Sequence, residues 1–396
     1  MAIADPISES TTTSPPTPVE VLVMAGAMLP DQLEILLKNF SSILQPETTL
    51  IATESSVPEQ LNSALRVVSA PATNSRWNLT PADFLRAWQF VQQNQPRAIL
   101  ILGTGAESLA PEGLCQLVNP VLAGSTDLAV PCYSLPPHAG LVNSAILYPL
   151  SRTLFSTRVR FPLTIDLAIS SRMAQRLAVL AQKSTAGEAA ETPIWPASEA
   201  AVAGFAVDEF DVGQRSMPQP SESDVNLLLT RVIGSLFADI ESKAAFWQRA
   251  RRVPPPRRLT GSRPVIDGSS DLPRMIESFH FAYSNLLEIW SLVMSPHSLL
   301  GLKRLTTMSV AEFRMPDALW VRIVFEFLVA YRQRTINRGH LLGALIPLYL
   351  AWVAGHINLT AAGTDPETHI EALATAFEAD KPYLVSRWRW PDRFNS

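Results

Sequence analysis

The sequence predicts an α/β fold over residues 19–220, with a mainly parallel sheet flanked by helices, followed by an all-helical domain over residues 221–396. Strand-like and helix-like segments alternate in the first half, which is the pattern of a parallel sheet covered by helices. Only helical periodicity follows residue 221. The 47% hydrophobic and 17% charged content of the 396 residues favours folded domains. Residues 1–18 are rich in Ser, Thr and Pro and are expected to form a flexible tail.

Short apolar runs and proline-led helices define the first half. The predicted strands cover residues 19–24, 49–52, 65–68, 98–102 and 128–131. Pro30 and Pro81 each stand at the start of a segment with apolar residues three and four positions apart, which predicts two amphipathic helices. The Ala/Glu/Ser/Thr-rich segment 182–192 is expected to be a surface loop.

The second half predicts long helices separated by one linker. Ser221 or Ser223 can cap a first helix, and the Pro/Arg-rich segment 251–273 reads as the linker. Three more helices are expected over about 274–294, 317–336 and 340–357. The most apolar run, residues 341–353, is short for a membrane span and contains a proline. We therefore expect a buried helix there and no integral membrane segment.

Composition excludes several functional classes. A net charge of −4 gives no reason to expect a nucleic-acid partner. The two cysteines, Cys115 and Cys132, lack metal-ligand or disulfide spacing, so we expect reduced thiols and a cytoplasmic location. The six histidines show no ligand spacing. The glycines after residue 102 lack the third glycine of a dinucleotide fingerprint, and Gly-X-Ser-X-Gly is absent.

Long motifs carry a resemblance to a known enzyme family. They lie in residues 148–155 (YPLSRTLF), 159–170 (VRFPLTIDLAIS), 231–237, 319–327 and 340–350. These segments resemble bacterial GT-A glycosyltransferases of the mannosylglycerate synthase and glucosyl-3-phosphoglycerate synthase type, over most of residues 20–360. The resemblance implies a GT-A fold and transfer of a hexose from a nucleoside-diphosphate sugar to a small acceptor such as glycerate. It also implies Mg²⁺ or Mn²⁺ as the usual cofactor.

The residues that would bind the donor depart from the family pattern. The family's Asp-X-Asp pair, which holds the metal against the diphosphate, falls at Gly103 and Gly105. Its phosphate-binding lysine falls near Pro81, and its metal-binding histidine at about Met217. The Gly-Gly before its retained acid is Thr164 and Ile165, and an aspartate before a tryptophan is Pro193. Only the acid itself, Asp166, keeps its residue type.

These departures predict that a divalent metal does not bind at the usual site, because glycines offer no carboxylate oxygens. The candidate donor-binding residues are Gly103, Thr104, Gly105, Glu107 and Arg86. Asp166 is the candidate catalytic residue, as a base or a ligand of acceptor hydroxyls; the alternative is a buried acid tied to backbone amides. Glu107 could replace a metal ligand. Arginines could instead neutralise the diphosphate, with these candidates: Arg76, Arg86, Arg152, Arg158 and Arg160.

Three functional hypotheses follow. The chain is a glycosyltransferase homologue with a degenerate metal site and reduced or no activity, or a transferase that uses arginines or Glu107 in place of the metal clamp. The third hypothesis is a non-catalytic pseudo-glycosyltransferase that acts as a partner or scaffold. The expected partners are a small-molecule donor and acceptor, with a homo-oligomer or an active paralogue bound through the helical domain.

Overall fold

A computed structural model describes residues 18–55, 64–73, 78–136, 138–184, 191–217, 222–249 and 271–390. Residues 1–17, most of the predicted linker 251–273 and the middle of the predicted loop 182–192 lie outside these ranges. Arg76 and the predicted capping residue Ser221 lie outside them as well. The expectations for these segments therefore stay predictions.

Seven strands form one sheet. They are β1 (Val21–Ala25), β2 (Thr49–Thr53), β3 (Arg66–Ser69), β4 (Ala98–Leu102), β5 (Leu128–Ser134), β6 (Leu167–Ser170) and β7 (Val207–Gln214). The strand order is β3-β2-β1-β4-β6-β5-β7, and every neighbouring pair is parallel except those that involve β6. β1 and β4 are buried at every position, as expected for strands covered on both faces. The predicted mainly parallel sheet is confirmed.

Two of the seven strands, β6 and β7, were not among the predicted ones. β6 has only four residues and is antiparallel to β4 and β5. β7 lies at the edge of the sheet, and its sequence VDEFDVGQ carries three acidic residues. Charged edge strands lack the continuous apolar run that marks a central strand. Both strands matter for the site, because each ends or begins beside its charged residues.

Helices flank the sheet on both faces. The helices of the first half are α1 (Pro30–Ser41), α2 (Pro81–Asn94), α3 (Pro111–Leu122), α4 (Tyr148–Phe155), α5 (Ser171–Gln182) and α6 (Pro196–Ala203), of which α4 packs with the helical half. α1 and α2 begin at the predicted prolines, whose fixed φ suits the first helical position. A π-helical turn, Asn143–Leu147, leads directly into α4.

The described residues of the second half form helices and connecting loops, with no strand among them. Its helices are α7 (Glu222–Ser242), α8 (Ala244–Trp247), α9 (Leu272–Val293), α10 (Pro296–Leu305), α11 (Asp317–Gln333), α12 (Arg338–Ala361) and α13 (Pro366–Arg389). The predicted number of helices after the linker was wrong, because α10 and α13 were missed. α13 lacks a regular apolar face in the sequence because its inner face carries Glu371 and Glu378, which bind Arg152 of α4.

The helical core extends into the first half of the chain. Residues of the π-helical turn and α4, from Ala145 to Phe155, pack in the same apolar cluster as α7, α9, α11, α12 and α13. Two further clusters cover the two faces of the sheet. α12 is long and apolar enough to cross a membrane by length and composition, but 78% of its most apolar window is buried inside the protein. It is packed as a core helix.

Candidate functional site: a buried ion pair at the donor loop

The loop after β4 meets the start of β6. β4 ends at Leu102, and its antiparallel partner β6 begins at Leu167, so Gly103 and Asp166 lie side by side at the end of the two strands. The backbone N–H of Gly103 donates a hydrogen bond to Asp166 Oδ1 over 3.0 Å. The expectation that these two residues lie together is met. Asp166 has no solvent exposure.

Arg215 enters the same place from the end of β7. Its Nε donates to Asp166 Oδ2 at 2.8 Å, and its Nη2 lies 3.2 Å from Asp166 Oδ1. Nη2 also donates to the carbonyl of Thr104 at 2.9 Å and reaches that of Gly103 at 3.3 Å. Nη1 donates to the carbonyl of Ser216 at 2.9 Å. All three guanidinium nitrogens are therefore bound by protein oxygens, and neither charged side chain is exposed.

Tyr133 completes the set of groups around the carboxylate. Its hydroxyl donates to Asp166 Oδ2 at 2.8 Å and lies 2.8 Å from Thr164 Oγ1. Burial, with the charge of Asp166, raises the pKa of Tyr133, so the hydroxyl remains a donor. Burial alone would lower the pKa of Arg215, but the charge and hydrogen bonds of Asp166 raise it overall. The pair is therefore a buried guanidinium and its counter-ion, held on both sides.

Neither glycine position in the loop has room for a larger side chain. A Cβ on Gly103 would lie 2.8 Å from Ile165 Cβ and 3.1 Å from the Ile165 carbonyl oxygen. Gly105 has φ +87°, and a Cβ there would lie 2.6 Å from Arg215 Nη1 and 2.8 Å from the Ser216 carbonyl oxygen. The loop thus cannot carry two aspartates while Ile165 and Arg215 are present. Ile165 and Arg215 therefore occupy the space that an Asp-X-Asp pair would need, and Arg215 places a positive charge there.

Glu107 lies beside this network without joining the ion pair directly. Its Oε1 accepts a hydrogen bond of 2.7 Å from Gln32 Nε2 on α1. Its Oε2 is buried and has no hydrogen-bond partner among the described residues. Its charge acts to raise the pKa of Arg215. A single carboxylate of this kind is a poor replacement for a pair that holds a divalent ion.

Arg86 belongs to a different cluster at the end of β2. It forms ion pairs with Glu54, which follows β2, and with Asp83 on its own helix. Its Nη1 also donates to the carbonyl of Pro71 at 2.8 Å. Asp83 in turn accepts from the backbone N–H of Thr80 and caps α2. These contacts give Arg86 a structural role at the first turn of α2, and its predicted contact with a donor stays a prediction.

The other candidate arginines point to the helical half. Arg152 binds Glu371 at 2.5 Å and Glu378 at 2.8 Å, both on α13. Arg160 binds Glu367 at 3.1 Å. Arg158 is exposed. The described candidates therefore do not assemble beside Gly103, and the hypothesis of an arginine cluster on the diphosphate gains no support from them.

Sequence reasoning missed Arg215. It placed the counterpart of the family's metal-binding histidine at about Met217, but Met217 packs against the apolar cluster on one face of the sheet. The residue of this segment that reaches the loop is Arg215, because it directly follows the last residue of β7. The sequence signal would have been an arginine at the end of a strand, and β7 was not predicted.

The residues at this loop do not fit a divalent metal. The described residues contain no group of three or more His, Cys, Asp or Glu side chains placed to hold a metal ion. At the loop, one carboxylate is saturated by Arg215, Tyr133 and the Gly103 amide, and a fixed positive charge repels a second cation.

Comparison with known proteins gives structural matches only. No protein-family model matches the sequence, and no curated protein matches it. Glucosyl-3-phosphoglycerate synthase from Mycobacterium tuberculosis with phosphoglyceric acid is 15% identical with a TM-score of 0.36, over 56% of this chain and 79% of that chain. The same enzyme with Mn²⁺, uridine diphosphate and glucosyl-3-phosphoglycerate is 14% identical with a TM-score of 0.39, over 56% and 79%. A mycobacterial protein is 15% identical with a TM-score of 0.38, over 56% and 74%.

These structures include the enzyme class that the sequence motifs resemble. At such identities and TM-scores the likeness assigns no role to any residue of this chain.

Proposed function

We propose that this chain is a glycosyltransferase-type protein in which the Arg215–Asp166 ion pair replaces the donor metal, so that metal-dependent sugar transfer is lost. Its remaining role is non-catalytic: it binds a nucleotide sugar or a protein partner. The observation that carries the proposal is the saturated guanidinium of Arg215, which is fully buried and bound through all three nitrogens.

Loss of transfer follows from the charge at the loop. A departing nucleoside diphosphate needs a metal or free cationic side chains to neutralise its developing charge. The charge of Arg215 is already offset by Asp166, and its donors already have acceptors. Asp166 is equally unsuited to act as a base, because it accepts hydrogen bonds from Tyr133, Arg215 and the Gly103 amide in a site without solvent.

A binding role remains compatible with the same edge of the sheet. Ligands of open α/β sheets bind outside the carboxyl ends of the strands, which is where Gly103, Thr104 and Glu107 lie. Backbone amides of such a loop can contact phosphate oxygens without a metal. We expect weak, metal-independent binding of a nucleoside-diphosphate sugar, or none.

The test is a thermal-shift screen of nucleoside-diphosphate sugars with and without Mn²⁺. A ligand of the native state raises its melting temperature by mass action. We expect any stabilisation to be the same with and without Mn²⁺. Stabilisation that requires Mn²⁺, together with release of nucleoside diphosphate on adding an acceptor, would overturn the proposal.

Restoration of the loop tests the same proposal from the other side. Replacing Gly103 and Gly105 by Asp alone should destabilise the fold and give no Mn²⁺ binding, because both side chains collide with Ile165 and Arg215. Adding Ile165→Gly and Arg215→Ala removes the side-chain collisions and the fixed positive charge, and leaves the Ser216 carbonyl, 2.8 Å from a Cβ at position 105, to shift. Titration calorimetry with Mn²⁺ and a nucleoside diphosphate should then show binding in the fourfold variant only. Equal Mn²⁺ binding by the wild type would contradict the proposed replacement.

A further inference from the structure

A second polar cluster lies where the sheet meets the last two helices. We call it the junction cluster, and its members are His138, Arg160, Asp317, Trp352, His356, Glu367 and His369. His138 comes from the segment after β5 and Arg160 from the segment before β6. The remaining members come from α11, α12 and α13. The cluster is separate from the Arg215–Asp166 pair, whose hydrogen bonds involve none of these residues.

Two histidines of the cluster share one proton. Nδ1 of His356 lies 2.7 Å from Nδ1 of His369, so one ring must donate and the other accept. His369 Nε2 lies 3.0 Å from Asp317 Oδ1, which fixes a proton on that nitrogen. A neutral His369 therefore accepts from His356, and a charged His369 donates to it. In the first case Nε2 of a neutral His356 carries no proton and can only accept a hydrogen bond, whereas in the second case it carries the proton and can donate one.

Three buried nitrogens of the cluster have no hydrogen-bond partner among the described residues: His356 Nε2, Arg160 Nη1 and Trp352 Nε1. His356 is only 1% exposed and Arg160 3%. Trp352 stacks on His356, with ring centroids 5.2 Å apart. Buried donors in folded proteins are almost always paired with protein, water or a ligand. The unpaired N–H groups of Arg160 and Trp352, joined by Nε2 of His356 when it carries a proton, therefore point to a bound group that supplies acceptors.

Arg160 supplies the permanent positive charge near the histidine pair. It uses Nε and Nη2 on Glu367, both at 3.1 Å, and Nη2 also on Ser144. Burial, followed by the charges of His369, His138 and Arg160, lowers the pKa of His356, and Glu367 raises it by a smaller amount. The histidines carry positive charge only when they are protonated. The cluster can therefore attract an anion through Arg160, and most strongly when the histidine pair holds an extra proton.

We propose that the junction cluster binds a small oxyanion, a phosphate or a carboxylate, through Arg160 Nη1 and His356 Nε2, with Trp352 Nε1 as a neighbouring donor. The half-buried His138 and the 26% exposed side chain of Glu367 lie on the solvent side. The site joins the sheet to α12 and α13, so an occupant stabilises the contact between the two halves. The proposal stands independently of the proposed loss of sugar transfer.

Binding at this site is linked to a proton. Nε2 of His356 donates to an anion only when it carries a proton, and the anion's charge stabilises that proton against the burial that disfavours it. Binding should therefore take up about one proton at neutral pH and strengthen as the pH falls from 8 to 6. Other charged groups that face His356 are His369, His138, Arg160 and Glu367, with Asp317 behind His369. Of these groups, His369, His138 and Arg160 lower the pKa of His356 and Glu367 raises it, and the pKa is lowered overall.

The test is titration calorimetry of the full chain with inorganic phosphate, at pH 6 and pH 8 and constant ionic strength. Repeating it in two buffers of different ionisation enthalpy gives the number of protons taken up. Acetate replaces phosphate in a parallel titration and distinguishes a carboxylate from a phosphate site. His356→Phe and Arg160→Gln are the test variants, and circular dichroism checks that each is folded. Arg158→Gln and His340→Gln, both exposed positions, are the matched controls.

We expect phosphate or acetate to bind the wild type with proton uptake, and each test variant to bind roughly tenfold more weakly or less, as for loss of a charge-assisted hydrogen bond. The controls should bind like the wild type. The proposal is wrong if neither anion binds, or if His356→Phe binds as tightly as the wild type with no change in proton uptake. An effect of equal size in Arg158→Gln would assign the binding to surface charge instead.

Discussion

Buried arginine–carboxylate pairs are used differently in two regions of this molecule. At the loop after β4, Arg215 is enclosed by Asp166 and by carbonyl groups of the chain, and every nitrogen has an acceptor. At the sheet–helix junction, Arg152 and Arg160 reach across to glutamates of α13, and one nitrogen of Arg160 has no partner among the described residues. In the first region the hydrogen-bonding groups of the arginine bind only nearby residues of the α/β half. In the second region the arginines connect the α/β half of the chain to α13.

The difference shows which region is free to bind a ligand. A guanidinium with all its donors used stabilises the chain around it and offers nothing to a diphosphate. A partly used guanidinium beside an unpaired imidazole nitrogen offers donors to an anion. The loop that the sequence resemblance marks as the donor site is therefore the less available region, and the junction is the more available one.

The largest effect is expected for Arg215→Met. The change leaves Asp166 charged and buried without its counter-ion, which typically costs about 3–5 kcal/mol in the free energy of unfolding. Urea denaturation followed by circular dichroism measures it. The matched control is the double variant Arg215→Met with Asp166→Leu, which should lose much less than the single variant, because no charge is left unpaired. A single-variant loss below about 1 kcal/mol would show that the pair is not the closed unit described here.

A smaller loss is expected for Arg152→Gln at the junction. Arg152 binds Glu371 and Glu378, which are about one-eighth exposed, so the remaining carboxylates regain some water when the arginine is removed. We expect a loss of roughly 2–3 kcal/mol in the free energy of unfolding. Arg158→Gln changes an exposed arginine nearby and should cost less than about 0.5 kcal/mol. Similar losses in both variants would contradict the role of Arg152 in joining α4 to α13.

The stability of the junction should depend on pH through His356. Burial, followed by the charge of His369, lowers the pKa of His356 to about 3. Above pH 6.5 the ring is neutral in both the folded and the unfolded chain and contributes no pH dependence. As the pH falls below 6.5 the unfolded chain binds a proton that the folded chain refuses, so stability is lost between about pH 6.5 and pH 3.

The expected loss from His356 is about 2 kcal/mol at pH 5, since each pKa unit corresponds to about 1.36 kcal/mol. Urea denaturation from pH 8 to pH 4.5 in a phosphate-free buffer measures it. His356→Phe should flatten the profile, and His340→Gln, at an exposed position, should leave it unchanged. A wild-type profile no steeper than that of His356→Phe would show that the ring is not held neutral.

Much of the fold could be predicted from local sequence patterns. The central strands β1 and β4 are continuous apolar runs, and α1 and α2 each begin with a proline that is followed by a regular apolar face. β7 and α13 could not be predicted in this way. Their polar residues face other parts of the chain, and only the folded protein shows that Glu371 and Glu378 point inward to Arg152.

The candidate site could be predicted only in part. The sequence placed Gly103, Gly105 and Asp166 together and indicated that the Asp-X-Asp pair of the family is absent. It could not show that Arg215 binds Asp166 at this loop, because Arg215 lies 112 residues further along the chain than Gly103. The complementary sizes of Gly103 and Ile165 likewise depend on a contact between β4 and β6 that neither segment reveals alone.

The smallest effect is expected for Glu107→Gln, and it decides between a lost metal site and a relocated one. Glu107 accepts from Gln32 and contributes only its charge to Arg215, so the variant should lose about 0.5–1 kcal/mol of stability at most. A Mn²⁺ titration in the presence of a nucleoside diphosphate should give the same result for variant and wild type. Gln32→Ala is the control, since it removes the hydrogen bond and keeps the carboxylate. Tight Mn²⁺ binding that Glu107→Gln abolishes and Gln32→Ala preserves would identify a metal site built on Glu107. The loop after β4 would then bind a metal ion, against the proposal.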